Sequence, residues 1–116
     1  MQKRSSSSVR IFYPECNKED IIKTISDGLA DLAEALPLSK VMLFGSYAKG
    51  RYTVHSDVDL LVVYRGLPRP DAYSLVKKIL KVPRLEPHIY TDEEYEMMRD
   101  VLDKMLADGC VILFQS

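Results

Sequence analysis

Asp57 and Asp59, separated by a single residue, are the most chemically pointed pair in the chain. The run DVDLLVV at 57–63 reads as a strand, which sends both carboxylates to one face and Val58 to the other. Their Cβ atoms then lie about 6 to 7 Å apart. Two bare carboxylates so placed repel each other, whereas a hard cation such as magnesium between them is held by their oxygens. Glu86 is the candidate third carboxylate, because on a neighbouring strand it can face the pair across the sheet. Three carboxylates can hold two divalent ions about 3.5 to 4 Å apart. One ion activates an attacking hydroxyl, and the other grips triphosphate oxygens and offsets charge on departing pyrophosphate.

Gly45 and Ser46 supply a cradle for the triphosphate. Glycine removes a side chain where backbone must approach, and the following N–H groups with the Ser46 hydroxyl donate to phosphate oxygens. Lys49 and Arg51 are candidates for outer phosphate contacts, and Gly50 permits a tight exit from the turn. His88, two residues after Glu86, shares its side of the strand and is a candidate for substrate contact or proton transfer. His55 reads as a turn or surface histidine. Tyr47 and Tyr52 offer either a stacking surface for a base or packing beneath the loop.

The elements that must position these residues are legible in the hydropathy pattern. Asn17 caps a helix whose Ile21, Ile22, Ile25, Leu29, Leu32, Ala33 and Leu36 recur on one side, with Pro37 at its end. VMLF at 41–44 is a short strand running straight into Gly45. Residues 46–56 contain two turns and room for a short helix. The segment YRGLPRPD is a surface loop, after which Asp71 caps DAYSLVKKILK with Leu75, Val76, Ile79 and Leu80 as its apolar face.

RLEPHIY at 84–90 alternates as a third strand, with Leu85, Pro87 and Ile89 opposite Glu86, His88 and Tyr90; Pro87 places it at a sheet edge. Thr91 and Glu94 form a capping box for one helix reaching Gly109, with Tyr95, Met98, Leu102, Met105 and Leu106 as its buried stripe. CVILF at 110–114 is the last strand. The 41–44 and 57–63 strands are too close in sequence for a crossover helix and pair antiparallel. The fold class is therefore α+β: a small mixed sheet with helices packed against it.

Composition sets the outer bounds. A chain of 116 residues favours one domain, here residues 10–116, and about two thirds of its extended surface can be buried without staples. Residues 1–9, with four serines and basic groups, read as a flexible arm. Sixteen Lys and Arg against seventeen Asp and Glu leave no basic excess, so nucleic acid is not favoured as a partner, although Lys3, Arg4 and Arg10 could strengthen a contact with RNA. Cys16 and Cys110 are too few for a zinc cluster or disulfide framework. No signal peptide or membrane span is apparent, and the expected location is the cytoplasm, with no membrane partner.

The ordered set Gly45, Ser46, Ala48, Lys49, Gly50, Ser56, Asp57 and Asp59 resembles the motif of the minimal nucleotidyltransferases, within the DNA polymerase beta-like superfamily. The resemblance covers roughly residues 18–114. It implies that Gly45 and Ser46 bind a nucleoside triphosphate, that Asp57 and Asp59 bind magnesium, and that Glu86 stands where relatives more often carry aspartate. The implied reaction moves a nucleoside monophosphate, AMP from ATP in the leading case, onto a hydroxyl acceptor with release of pyrophosphate. In the resembling small proteins a separately encoded helical partner of the HEPN type often accompanies the enzyme, some pairs acting as toxin and antitoxin. A noncatalytic partner-binding module and transfer to a small molecule or RNA end stay open as alternatives. The small size also favours self-association or a partner that completes the acceptor cleft.

Overall fold

The protein is described here by a computed structural model covering residues 17–53 and 55–116; the expected arm at 1–9, with Lys3, Arg4, Arg10 and Cys16, lies outside the described residues. In chain order the elements are α1 (Lys18–Ala35), β1 (Leu38–Phe44), α2 (Ser46–Lys49), β2 (Val58–Tyr64), α3 (Ala72–Leu80), β3 (Leu85–Thr91), α4 (Asp92–Met97), α5 (Arg99–Leu106) and β4 (Cys110–Gln115).

The Asn17 side chain accepts from the Asp20 N–H at 2.9 Å, and Glu19 and Asp20 sit at the positive end of α1. Ile21, Ile25, Leu29 and Leu32, three or four residues apart, are its buried stripe. Gly28 is explained by contact: a Cβ there would stand 2.8 Å from Leu80 Cδ2, so its absence lets α1 and α3 approach closely. Helix α3 begins differently from expectation. Asp71 makes no side-chain cap, because its carboxylate is taken by Arg69 at 2.9 and 3.1 Å, and that hydrogen bond holds Asp71 below the usual carboxylate range.

The strands form one mixed sheet in the order β3-β2-β1-β4. β1 runs antiparallel to both β2 and β4, and β2 runs parallel to β3 through a crossover that contains α3. β3 is thus an edge strand, as Pro87 requires. Alternation splits the sheet's side chains between two cores. Val41, Leu43, Val58, Leu60, Val62 and Leu85 meet α1 and α3 on one side; Met42, Phe44, Leu61 and Val63 meet Tyr95 and Leu102 on the other. Each fully buried aliphatic side chain contributes about 1.5 to 3 kcal/mol.

The last helical stretch is interrupted at Met98 where the sequence reads as continuous. Thr91 and Glu94 form the expected reciprocal capping box, but Met98 leaves helical geometry at φ −105°, ψ 16°. Hydrogen bonds continue across it, from Met98 N to Glu94 O and from Leu102 N to Met98 O. On either side of the interruption Tyr95 and Leu102 are buried, while Met98, expected in the stripe, is exposed.

Candidate functional site

β1 ends at Phe44, which is registered opposite Asp59 of β2. The next residue, Gly45, adopts φ 77°, ψ −153°, a region that essentially only glycine occupies. A Cβ on residue 45 would overlap the Asp59 carboxylate, standing 3.2 Å from Asp59 Cβ and 3.1 Å from its Cγ. Glycine therefore serves two ends at once: it turns the chain into α2 and leaves the Asp59 carboxylate lying against the turn.

The turn closes on itself. Lys49 N donates to Gly45 O, Arg51 N donates to Ser46 O at 2.9 Å, and Gly50 takes the left-handed conformation that ends α2. Beneath it Tyr47, which is buried, stacks on Tyr52 at 4.3 Å between ring centres. The Tyr52 hydroxyl accepts from Lys18 N, and Lys18 Nζ donates to Ala48 O at 2.9 Å. Of the two roles open to the tyrosines, packing under the loop is the one observed, and the first residue of α1 braces it.

The remaining candidates are less gathered than their spacing implies. β2 begins at Val58, so Asp57 lies just outside the strand, half exposed, with Oδ1 3.1 Å from Arg84 Nη2. Asp59 is more sheltered, and its Oδ1 lies 3.4 Å from His88 Nε2. The His88 ring meets Phe44 edge-on at 5.0 Å, which fixes its orientation beside the carboxylate. Glu86 is registered directly opposite Asp59 across the parallel pair, as expected. Its carboxylate, however, accepts from the Tyr73 hydroxyl at 3.3 Å. Lys49 Nζ is drawn 3.3 Å from Asp108, Arg51 is exposed, and exposed His55 belongs to the turn before β2, where its N–H donates to Thr53 Oγ1.

Among the described residues no three His, Cys, Asp or Glu side chains stand close enough together to hold a metal ion. The expected three-carboxylate cluster is thus not preassembled, because Arg84 engages Asp57 and Tyr73 engages Glu86. The donor chemistry nevertheless fits magnesium, which is commonly held by one or two carboxylates together with substrate phosphates. Asp57 and Asp59 offer such a pair, and Asp59 packs directly against the Gly45 turn, where a side chain on residue 45 would displace its carboxylate. Arg84 and Tyr73 escaped the sequence reading because their partners lie 27 and 13 positions away; only the β2–β3 register, Val58 opposite Leu85, exposes the first of these contacts.

A chain named "putative protein adenylyltransferase" from Methanocaldococcus jannaschii is 41% identical over 51 residues, covering 42% of this chain and 52% of that protein. The chain thus matches about half the length of this curated relative. Among solved structures, a "putative nucleotidyltransferase" from Sulfolobus solfataricus superposes with a TM-score of 0.59 at 19% identity, covering 84% of this chain and 83% of that one. A structure described as a toxin-antitoxin with AMP-PNP gives a TM-score of 0.56 at 19% identity, covering 78% and 73%. Both share the fold. The sequence model of the nucleotidyltransferase domain matches residues 22–111, nearly all of the described chain, and on that match this protein belongs to the nucleotidyltransferase domain family.

Proposed function

We propose that the chain transfers a nucleoside monophosphate, AMP from ATP, to a hydroxyl on a protein acceptor, releasing pyrophosphate. The observation that carries this reading is the apposition of Gly45 and Asp59, which sets a carboxylate directly against a turn whose first residue has no side chain. The curated relative's name, protein adenylyltransferase, favours adenosine as the transferred nucleoside and a protein as acceptor. The cytoplasm is the proposed setting.

In this reading the backbone N–H groups after Gly45 and the Ser46 hydroxyl hold the triphosphate, with Lys49 and Arg51 reaching its outer oxygens once Lys49 leaves Asp108. Asp57 and Asp59 are the magnesium ligands. Magnesium, when bound there, lowers the pKa of the attacking hydroxyl and compensates charge on the phosphates. Glu86, after exchanging its Tyr73 partner, takes the acceptor's proton from beside Asp59. The bond from the acceptor oxygen to the α-phosphorus forms as the bond to pyrophosphate breaks, and in-line positioning supplies much of the rate.

A small helical partner of the HEPN type is the proposed acceptor. Met97 and Val101, exposed on α4 and α5, provide apolar surface for such a contact. The test is intact-mass analysis of the chain and its co-purified proteins with magnesium and ATP. A partner gaining the mass of one AMP supports the reading; transfer undiminished in both Asp57→Asn and Asp59→Asn overturns it.

A further inference from the structure

Arg84 is fastened to the approach to β2 at four points. Its carbonyl accepts from Val58 N at 2.9 Å, its Nε donates to Ser56 O at 3.2 Å, its Nη2 donates to His55 O at 2.5 Å, and the same nitrogen is 3.1 Å from Asp57 Oδ1. The residue holds this position at φ 61°, a left-handed conformation that non-glycine residues seldom adopt. The guanidinium is half exposed, and among the described residues its Nη1 carries no partner. A cation is therefore built into the side of one proposed magnesium ligand, with one guanidinium nitrogen left unused.

Resting on the reading of Asp57 as a metal ligand, we propose that Arg84 is a positioning residue that couples the two halves of the substrate, so that Asp57 accepts a divalent cation readily only together with a triphosphate. Without nucleotide, the guanidinium neutralises Asp57 and opposes a second positive charge at the same carboxylate. With nucleotide, the added charge is negative, and the planar fork offers Nη1 to a phosphate oxygen while keeping its hold on the loop. The same side chain thus weakens binding of the free ion and strengthens binding of the metal–nucleotide pair. By thermodynamic reciprocity the triphosphate and the cation each tighten the other.

The sign of the effect separates this role from simple loop support. Arg84→Gln removes the charge but keeps a hydrogen-bond donor for the loop carbonyls. Manganese binding, followed by electron paramagnetic resonance with and without a non-hydrolysable ATP analogue, should show R84Q binding the free ion about two- to five-fold more tightly than the wild type, the range of an exposed ion pair. The enhancement by the analogue should shrink. Weaker or unchanged binding of the free ion by R84Q overturns the proposal, since a merely structural role predicts weakening. If R84Q does not fold, Arg84→Lys retains the charge without the fork: free-ion binding should stay weak and the analogue's enhancement fall, whereas full enhancement overturns the proposal. Asp57→Asn separates the two levels. Manganese binding unaffected by D57N removes the metal-ligand reading and this proposal with it; binding lost in D57N but not tightened in R84Q removes the Arg84 role alone.

Discussion

Gly45 and Asp59 are packed so closely across the β1–β2 pair that a methyl group on residue 45 would overlap the carboxylate. Gly45→Ala must either drive Asp59 away or move the turn, and it must also strain a backbone angle of 77°. We expect about 1 to 3 kcal/mol of lost stability from the backbone alone. Nucleotidyl transfer should fall well beyond what that loss explains. Urea unfolding and transfer rates measured on the same samples check both parts.

Asp57 and Asp59 should behave as ligands and not as fold determinants. Asp57→Asn and Asp59→Asn should each lower magnesium-dependent transfer by at least about 100-fold, since even partners of metal ligands cost 10- to 100-fold. Thermal unfolding should shift little for Asp57→Asn, because the exposed Arg84 pair it breaks contributes under about 1 kcal/mol.

Glu86 divides proton transfer from nucleotide binding. Glu86→Gln keeps the size and the Tyr73 contact but removes the base, so kcat should fall by about 100- to 10,000-fold. The affinity for ATP, measured by isothermal titration calorimetry, should be nearly unchanged. An equal loss in affinity would place Glu86 in nucleotide binding instead.

Thr91 is buried; its hydroxyl oxygen accepts from Glu94 N, and its own N–H donates to Glu94 Oε1 at 2.9 Å. Thr91→Ala should destabilise the protein by about 1 kcal/mol through loss of the cap. Chemical denaturation should register the loss with little change in transfer.

Leu102 is fully buried and, with the partly buried Met105 and Leu106, packs α5 onto the second core. Leu102→Ala should cost about 2 to 5 kcal/mol. The cost should appear in the denaturation midpoint with an unchanged slope.

The sequence made the sheet and its principal helices legible because their signals are local. Asn17 and Thr91 announce helix starts, Pro87 announces an edge, and the alternation at 57–63 announces a buried strand whose observed start is one residue later. Gly45 and Asp59 were legible as a pair only through their motif, and their packing gives that motif its physical basis. What escaped depends on competition among side chains. Asp71 can cap a helix, but Arg69 takes its carboxylate; Glu86 can face Asp59, but the Tyr73 hydroxyl holds it. The interruption at Met98 was equally hidden, because periodicity describes which residues share a stripe and not where one residue leaves helical geometry.

Pro87 lies beside Glu86 and His88 on the outermost strand, and proline has no N–H to offer a newcomer. Another chain's extended segment would find its ladder interrupted just where the acidic wall begins. A single absent donor thus disfavours the pairing of a further strand beside Glu86 and His88.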